Sequence, residues 1–235
     1  MLVAAGFCPH PPLLVPQVAS GAAGELDQLR DLCDEVVTSL VRAGPDLVLV
    51  LGGGERAARW SDGDGGSLAG FGLDVLVPLR GPVRPGRDRM PLSLTVGAWL
   101  LGRSNHSGER LGFSVPDDAD DEDLAAWAGQ IDDLADRLAV LVMGDGSARR
   151  TEHSPGYLDE RAVPFDKQVA AGMAAGDPSA LRCLDPTLGT ALLAAGTAPW
   201  RLAGWLGGDE RFDAEVLYHD APYGVGYLVA RWRRG

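Results

Sequence analysis

A single histidine, His10, stands between prolines in FCPHPPLLVP, residues 7–16, directly after the apolar run MLVAAGF. Imidazole is the commonest metal ligand and titrates near neutral pH. The flanking prolines bar a helix here, so His10 sits where a strand ends, as a ligand or as the cap of a turn. Three further histidines are candidates. His106, in GRSNHSGER, reads as an exposed loop residue. His153, in RRTEHSPGY, lies just past a strand-end loop and can reach a site. His219, in LYHDAPYG, falls on a strand or in the turn that follows it. Asp145, in MGDGSARR, is a candidate ligand or a loop carboxylate that accepts from backbone N–H groups. Ser147 lies in GDGS, which lacks the G-x-S-x-G order of a nucleophile elbow. The Gly52-Gly53-Gly54 turn lacks both the G-x-G-x-x-G order and the Lys-Ser/Thr of a phosphate loop.

These residues need elements to position them. The run through residue 7 predicts a buried first strand. Leu26, Leu29, Cys33, Val36, Val37, Leu40 and Val41 make one apolar stripe at helical spacing over residues 24–43. DLVLVLGGG then predicts a strand of the parallel, doubly buried type, and the β-α-β opening implies a parallel sheet covered by helices. Residues 55–70, rich in Gly, Asp and Ser, predict a loop. DVLVPL predicts a strand, and PLSLTVGAWLLGR a helix with Pro91 in its first turn. The acidic run 117–123 lacks EF-hand spacing and complements the dipole of a helix expected over 124–138. RLAVLVM predicts a strand, residues 161–205 helices broken at GDPS and AAGTAPW, and residues 214–232 two strands joined by a turn. No linker divides the chain, which gives one α/β domain over residues 1–235: three αβα layers around a mainly parallel or mixed sheet. In such sheets ligands bind at the carboxyl ends of the strands, which would bring His10, Gly53 and Asp145 together. Cys8, Gly54, Ser147, His219 and Tyr223 are expected to line the same cleft.

The net charge of −12 and a single lysine, Lys167, argue against nucleic acid or an anionic membrane surface as partner. No apolar run reaches the ~20 residues of a membrane span. The N-terminal stretch lacks the basic start of a signal peptide. Cys8, Cys33 and Cys183 are scattered and odd in number, which points to a reduced, cytoplasmic protein. A small molecule is the expected partner, and a homo-oligomer is left open.

PHPPLLVP (residues 9–16), MGDGSARR (143–150) and APYGVGYLVA (221–230) together resemble the catalytic, LigB-type chains of the class III extradiol ring-cleavage dioxygenases, and their wider superfamily. The resemblance implies a helix-flanked sheet and an Fe(II) at one end of it, held by two histidines and a carboxylate. It also implies a catechol-type aromatic substrate and a further histidine as acid/base. His10 matches the first metal histidine. The second belongs to a PHG-like turn that here reads LGGG, with Gly53 in its place. The acid/base histidine ends a motif SGDLSH that here reads MGDGSA, with Ala148 in its place. The carboxylate ligand falls near Ala191 and Leu192, where no Asp or Glu stands. The expectation is therefore a dioxygenase-like frame that has lost the Fe(II) site and kept a small-molecule cleft. One alternative is an active Fe(II) oxygenase with a rearranged set of His10, Asp145 and catalytic His153. A second is a metal-independent hydrolase or transferase using Asp145, Ser147 and His153.

Overall fold

The computed structural model describes residues 1–235, apart from the side chain of Ala22. The elements in chain order begin with β1 (Leu2–Cys8), the short α1 (Pro16–Ala19), α2 (Asp27–Arg42) and β2 (Leu47–Gly53). The short strands β3 (Ala58–Trp60), β4 (Gly65–Ser67) and β5 (Leu76–Pro78) follow. Next come α3 (Leu92–Arg103), β6 (Glu109–Val115), α4 (Asp121–Asp132) and β7 (Leu138–Met143). The chain continues through α5 (Ala162–Ala174), α6 (Pro178–Arg182), α7 (Pro186–Ala191) and α8 (Thr197–Gly207) to β8 (Asp213–Asp220) and β9 (Tyr227–Arg233).

Seven strands form one mixed sheet in the order β3-β6-β2-β7-β1-β9-β8, and β4 and β5 pair separately. The central β6-β2-β7-β1 ladders are parallel, and β3, β9 and β8 add antiparallel edges. The apolar runs LVAAGFC, LVLVLGG and LAVLVM are buried on both faces, as parallel strands covered by helices must be. Alternate side chains serve two cores. Phe7, Leu49, Val140 and Trp232 point to the layer of α4, α5, α6 and α8. Cys8, Val50, Leu141 and Val229 point to α2 and α3. The indole of Trp232 lies 4.9 Å from the Phe7 ring and 5.3 Å from that of Phe212, and donates to Met173 O at 2.6 Å.

The α2 stripe lands as its spacing predicts, with Leu29, Cys33, Val36, Val37 and Leu40 buried. The helix ends before Gly44, whose φ of +62° stops it. On α3, Gly97 lets the helix lie against β2 and β7, because a Cβ there would run into Val50 and Met143. Asp120 caps α4 by accepting from Asp123 N, and the acidic first turn sits at the positive end of the helix dipole.

Two expectations are corrected, and one strand is unexpected. The segment expected as a loop over 55–70 carries β3 and β4. ERLGFSV forms β6, a strand hidden in the sequence by its charged start and only partial burial. The helix expected to reach residue 138 stops at Asp132, and a turn leads into β7.

Candidate functional site

The parallel registers set Cys8 beside Met143, Gly52 beside Met143, and Gly53 beside Val115. The carboxyl ends of β1, β2, β6 and β7 therefore form one rim. Past Cys8, proline keeps the chain extended until the turn Pro12–Leu14. The His10 N–H donates to Asp145 Oδ1 at 2.8 Å, and His10 Nδ1 lies 3.6 Å from the same oxygen. Gly144 N donates to Cys8 O at 3.0 Å, which closes the two strand ends together. His10 is buried, and its Nδ1 is sealed from solvent without a hydrogen-bond partner among the described residues. Burial, and then the nearby Asp145 carboxylate, hold the Tyr227 phenol well above its ordinary value.

The loop carrying Asp145 is held from three sides. Gly146 N donates to Gly226 O at 2.6 Å, and Gly226 N returns a bond to Ser147 O at 2.9 Å. Gly196 N donates to Asp145 O at 2.8 Å. Ser147 N donates to Asp166 Oδ1 at 2.9 Å, and Arg150 Nη1 to Asp166 Oδ2 at 2.7 Å. Asp166, on α5, is fully buried. Burial pushes its carboxyl up, while the Ser147 N–H and the Arg150 guanidinium pull it back. Gly144 has no room for a side chain: a Cβ there would meet Gly196 Cα at 2.5 Å and Trp200 Nε1 at 2.9 Å.

The structure thus joins His10 and Asp145 and sets Gly53 on the same rim, but it corrects the expectation that Ser147 and Cys8 line an open cleft. Ser147 is fully buried, and its Oγ donates to Leu192 O at 2.9 Å and accepts from Arg149 N. It fastens the loop and offers no nucleophile. Cys8 is buried and packs toward Cys33 on the α2 side; burial raises its thiol. His219 turns toward Asp166 and Arg150, its Nε2 sealed and unpartnered among the described residues. Burial, then Arg150, lower its basicity. Tyr223 is half-buried and donates to Glu25 at 2.7 Å. Gly54 lines a recess of about 410 Å³ with Arg56, Arg89 and Ser114. His153 is exposed. No three His, Cys, Asp or Glu side chains come together to hold an ion among the described residues, so the set of His10, Asp145 and His153 does not assemble.

Sequence reasoning misses Asp166 and Asp117. Asp166 sits mid-helix, where a lone carboxylate reads as solvent-facing. Asp117 is hidden within an acidic run, yet it neighbours Gly53. With Ala195 and Leu193 it borders a pocket of about 260 Å³ beside the rim.

No family model matches the chain, and no curated protein matches it. Eighteen chains of solved structures do. One is the crystal structure of the uncharacterized protein JW3007 from Escherichia coli K12. It aligns with a TM-score of 0.57 over 97% of this chain and 99% of that one, at 11% identity. The likeness extends the αβα architecture to a second protein and, at that identity, carries nothing about activity. No helix is long and apolar enough to cross a membrane among the described residues.

Proposed function

We propose that this chain is an extradiol-dioxygenase-like protein that lacks the Fe(II) ring-cleavage centre and keeps a small-molecule cleft at the carboxyl rim of its sheet. The observation that carries the reading is the donor set on that rim. An open Fe(II) site of this kind takes three protein ligands on one face. Here the His10–Asp145 pair has no third partner among the described residues. At the positions that the resemblance gives to the other two ligands, Gly53, Ala191 and Leu192 have no side-chain donor atoms, and Ala148 stands where the acid/base histidine would be. The residues present do not fit the metal, and no step is routed through it.

The remaining features support a binding role. The rim is rigidly built, with Asp145 tied to His10 and its loop fastened through Gly196, Gly226 and Asp166. A small pocket opens beside it. The hydrolase alternative loses its nucleophile to the buried Ser147–Leu192 bond. A reduced, cytoplasmic setting belongs to the same reading, supported by three unpaired cysteines.

The test is metal content and oxygen consumption. Protein purified without added metal and then given Fe(II) is expected to bind less than stoichiometric iron. It is also expected to show no oxygen uptake with catechol, protocatechuate or aminophenol. Stoichiometric iron that disappears in His10→Ala, with uptake on any of these substrates, refutes the reading and restores an active oxygenase.

A further inference from the structure

The helix α8 opens with Thr197-Ala198-Pro199. A carbonyl at Ala195 would pair with the N–H of residue 199, and proline has none. Its neighbours are satisfied: Ala194 O takes the N–H and hydroxyl of Thr197, and Gly196 O takes Trp200 N. Ala195 is exposed, and its carbonyl oxygen receives no protein donor among the described residues. Asp117, an exposed residue in the turn after β6, is a second acceptor without a protein donor among the described residues. Burial first, and then Asp118, hold its carboxyl above the ordinary value. Both oxygens face the space that the missing side chain of Gly53 leaves open. A Cβ on Gly53 would sit 3.4 Å from Ala195 O and 4.0 Å from Asp117 Oδ1.

Asp117 and Ala195 are also walls of the pocket of about 260 Å³, whose other surfaces include Leu193, Ala194 and Ala198. Leu193 is 48% exposed and held at a φ of +53°. That left-handed residue closes α7, with Leu193 N donating to Thr190 O and Ala194 N to Gly189 O, and it leaves an apolar side chain exposed at the edge of the recess.

We propose that this pocket binds a small apolar primary amine as its ammonium ion, with the head donating to Asp117 and Ala195 O and the hydrocarbon part resting on Leu193 and Ala198. The inference rests on the reading of the rim as a small-molecule cleft and names the ligand class. Two convergent acceptors with no donor between them disfavour an anion. A neutral alcohol brings one donor to two acceptors, whereas an ammonium brings three. A net charge of −12 draws cations to the surface. The volume lies below the ~300–1,000 Å³ of ordinary ligand pockets, so the fitting molecule is the size of benzylamine.

The test titrates benzylamine, benzyl alcohol and benzoate into the full chain, followed by calorimetry and by amide NMR shifts at Gly53, Ala195 and Gly196. Benzylamine is expected to saturate with shifts at those residues, benzyl alcohol to bind about tenfold more weakly, and benzoate not at all. Asp117→Asn should weaken benzylamine about tenfold and leave benzyl alcohol unchanged. Gly53→Ala fills the head-group space at near-contact distances and should weaken benzylamine with little change in melting temperature. Benzyl alcohol or benzoate binding as tightly as benzylamine overturns the ligand class and leaves the cleft reading standing. Absence of saturable benzylamine binding, or an Asp117→Asn protein that binds it like wild type, also overturns the inference. The iron and oxygen measurements report on the loss of the metal centre independently.

Discussion

Asp166 is the side chain through which the loop bearing Asp145 is tied to α5, and changing it to asparagine probes that tie. The carboxylate is fully buried and accepts from Ser147 N and Arg150 Nη1. Asparagine keeps the shape and the acceptor for Ser147, but it turns an N–H₂ toward the guanidinium or leaves it unpaired. Removing one partner of a buried ion pair costs about 3–5 kcal/mol. The Arg150 side chain keeps 15% of its exposure, so some water reaches it, and the expected cost is about 2–4 kcal/mol. For a chain of this size that lowers the melting temperature by about 5–15 °C. Removing both charges, in Asp166→Asn with Arg150→Gln, should recover most of the loss, because replacing both members of a buried pair is often near neutral. The assay is urea unfolding by the fluorescence of the six tryptophans, with circular dichroism run in parallel to check that the transitions coincide. A single variant within about 0.5 kcal/mol of wild type, the range of surface changes, refutes the tie. So does a double variant no more stable than the single.

Two other perturbations follow from the same region. His219 has its basicity lowered by burial and by Arg150. The unfolded chain, titrating near about 6.5, takes up the proton first. Stability is therefore full above that pH and falls as pH drops through the lower folded value; the urea midpoint of His219→Gln should vary less than that of wild type over this range. Gly144→Ala sets a methyl against Gly196 Cα, which is backbone and cannot yield cheaply. It should cost about 1–3 kcal/mol, typical of overpacking, measured as a drop in the urea midpoint. An unchanged midpoint would mean that the rim of β7 and the start of α8 are not in contact.

Much of the central sheet can be read from residue order. LVAAGF, LVLVL and LAVLVM are apolar without alternation, which only a doubly covered strand requires. Their shared direction is enough to put His10, Gly53 and Asp145 on one rim, and His10 and Asp145 meet there. β6 escapes such a reading because Glu109 and Arg110 open it and its alternation is incomplete; its pairing with β2 supplies what its own pattern lacks. Ser147 misleads for a different reason. A serine in a glycine loop reads as accessible, and nothing local reveals that Leu192, brought in by the fold, takes its hydroxyl proton, while Arg149 N two residues on donates to the same oxygen. The Ala195 carbonyl is legible in principle, since Pro199 four residues on removes its helical partner. Its meaning needs Asp117 and Gly53 beside it, and those come from the ends of two strands distant in sequence.

The order of the strands bears on how the molecule is made. β1 and β9 are neighbours within the sheet, with Gly6 opposite Arg231, though they lie at the far ends of the described chain. As the polypeptide leaves the ribosome, β1 emerges early and one of its edges stays bare until nearly all the described residues have been translated. Its other neighbour, β7, also arrives late. Pairings between segments so distant in sequence form slowly, since their entropy of closure is lost before contacts repay it. An apolar strand with a bare edge is meanwhile a template for a second nascent chain. Closure of β9 onto β1 therefore follows the making of every other strand of the sheet, and until then β1 has only β7 to cover one of its edges.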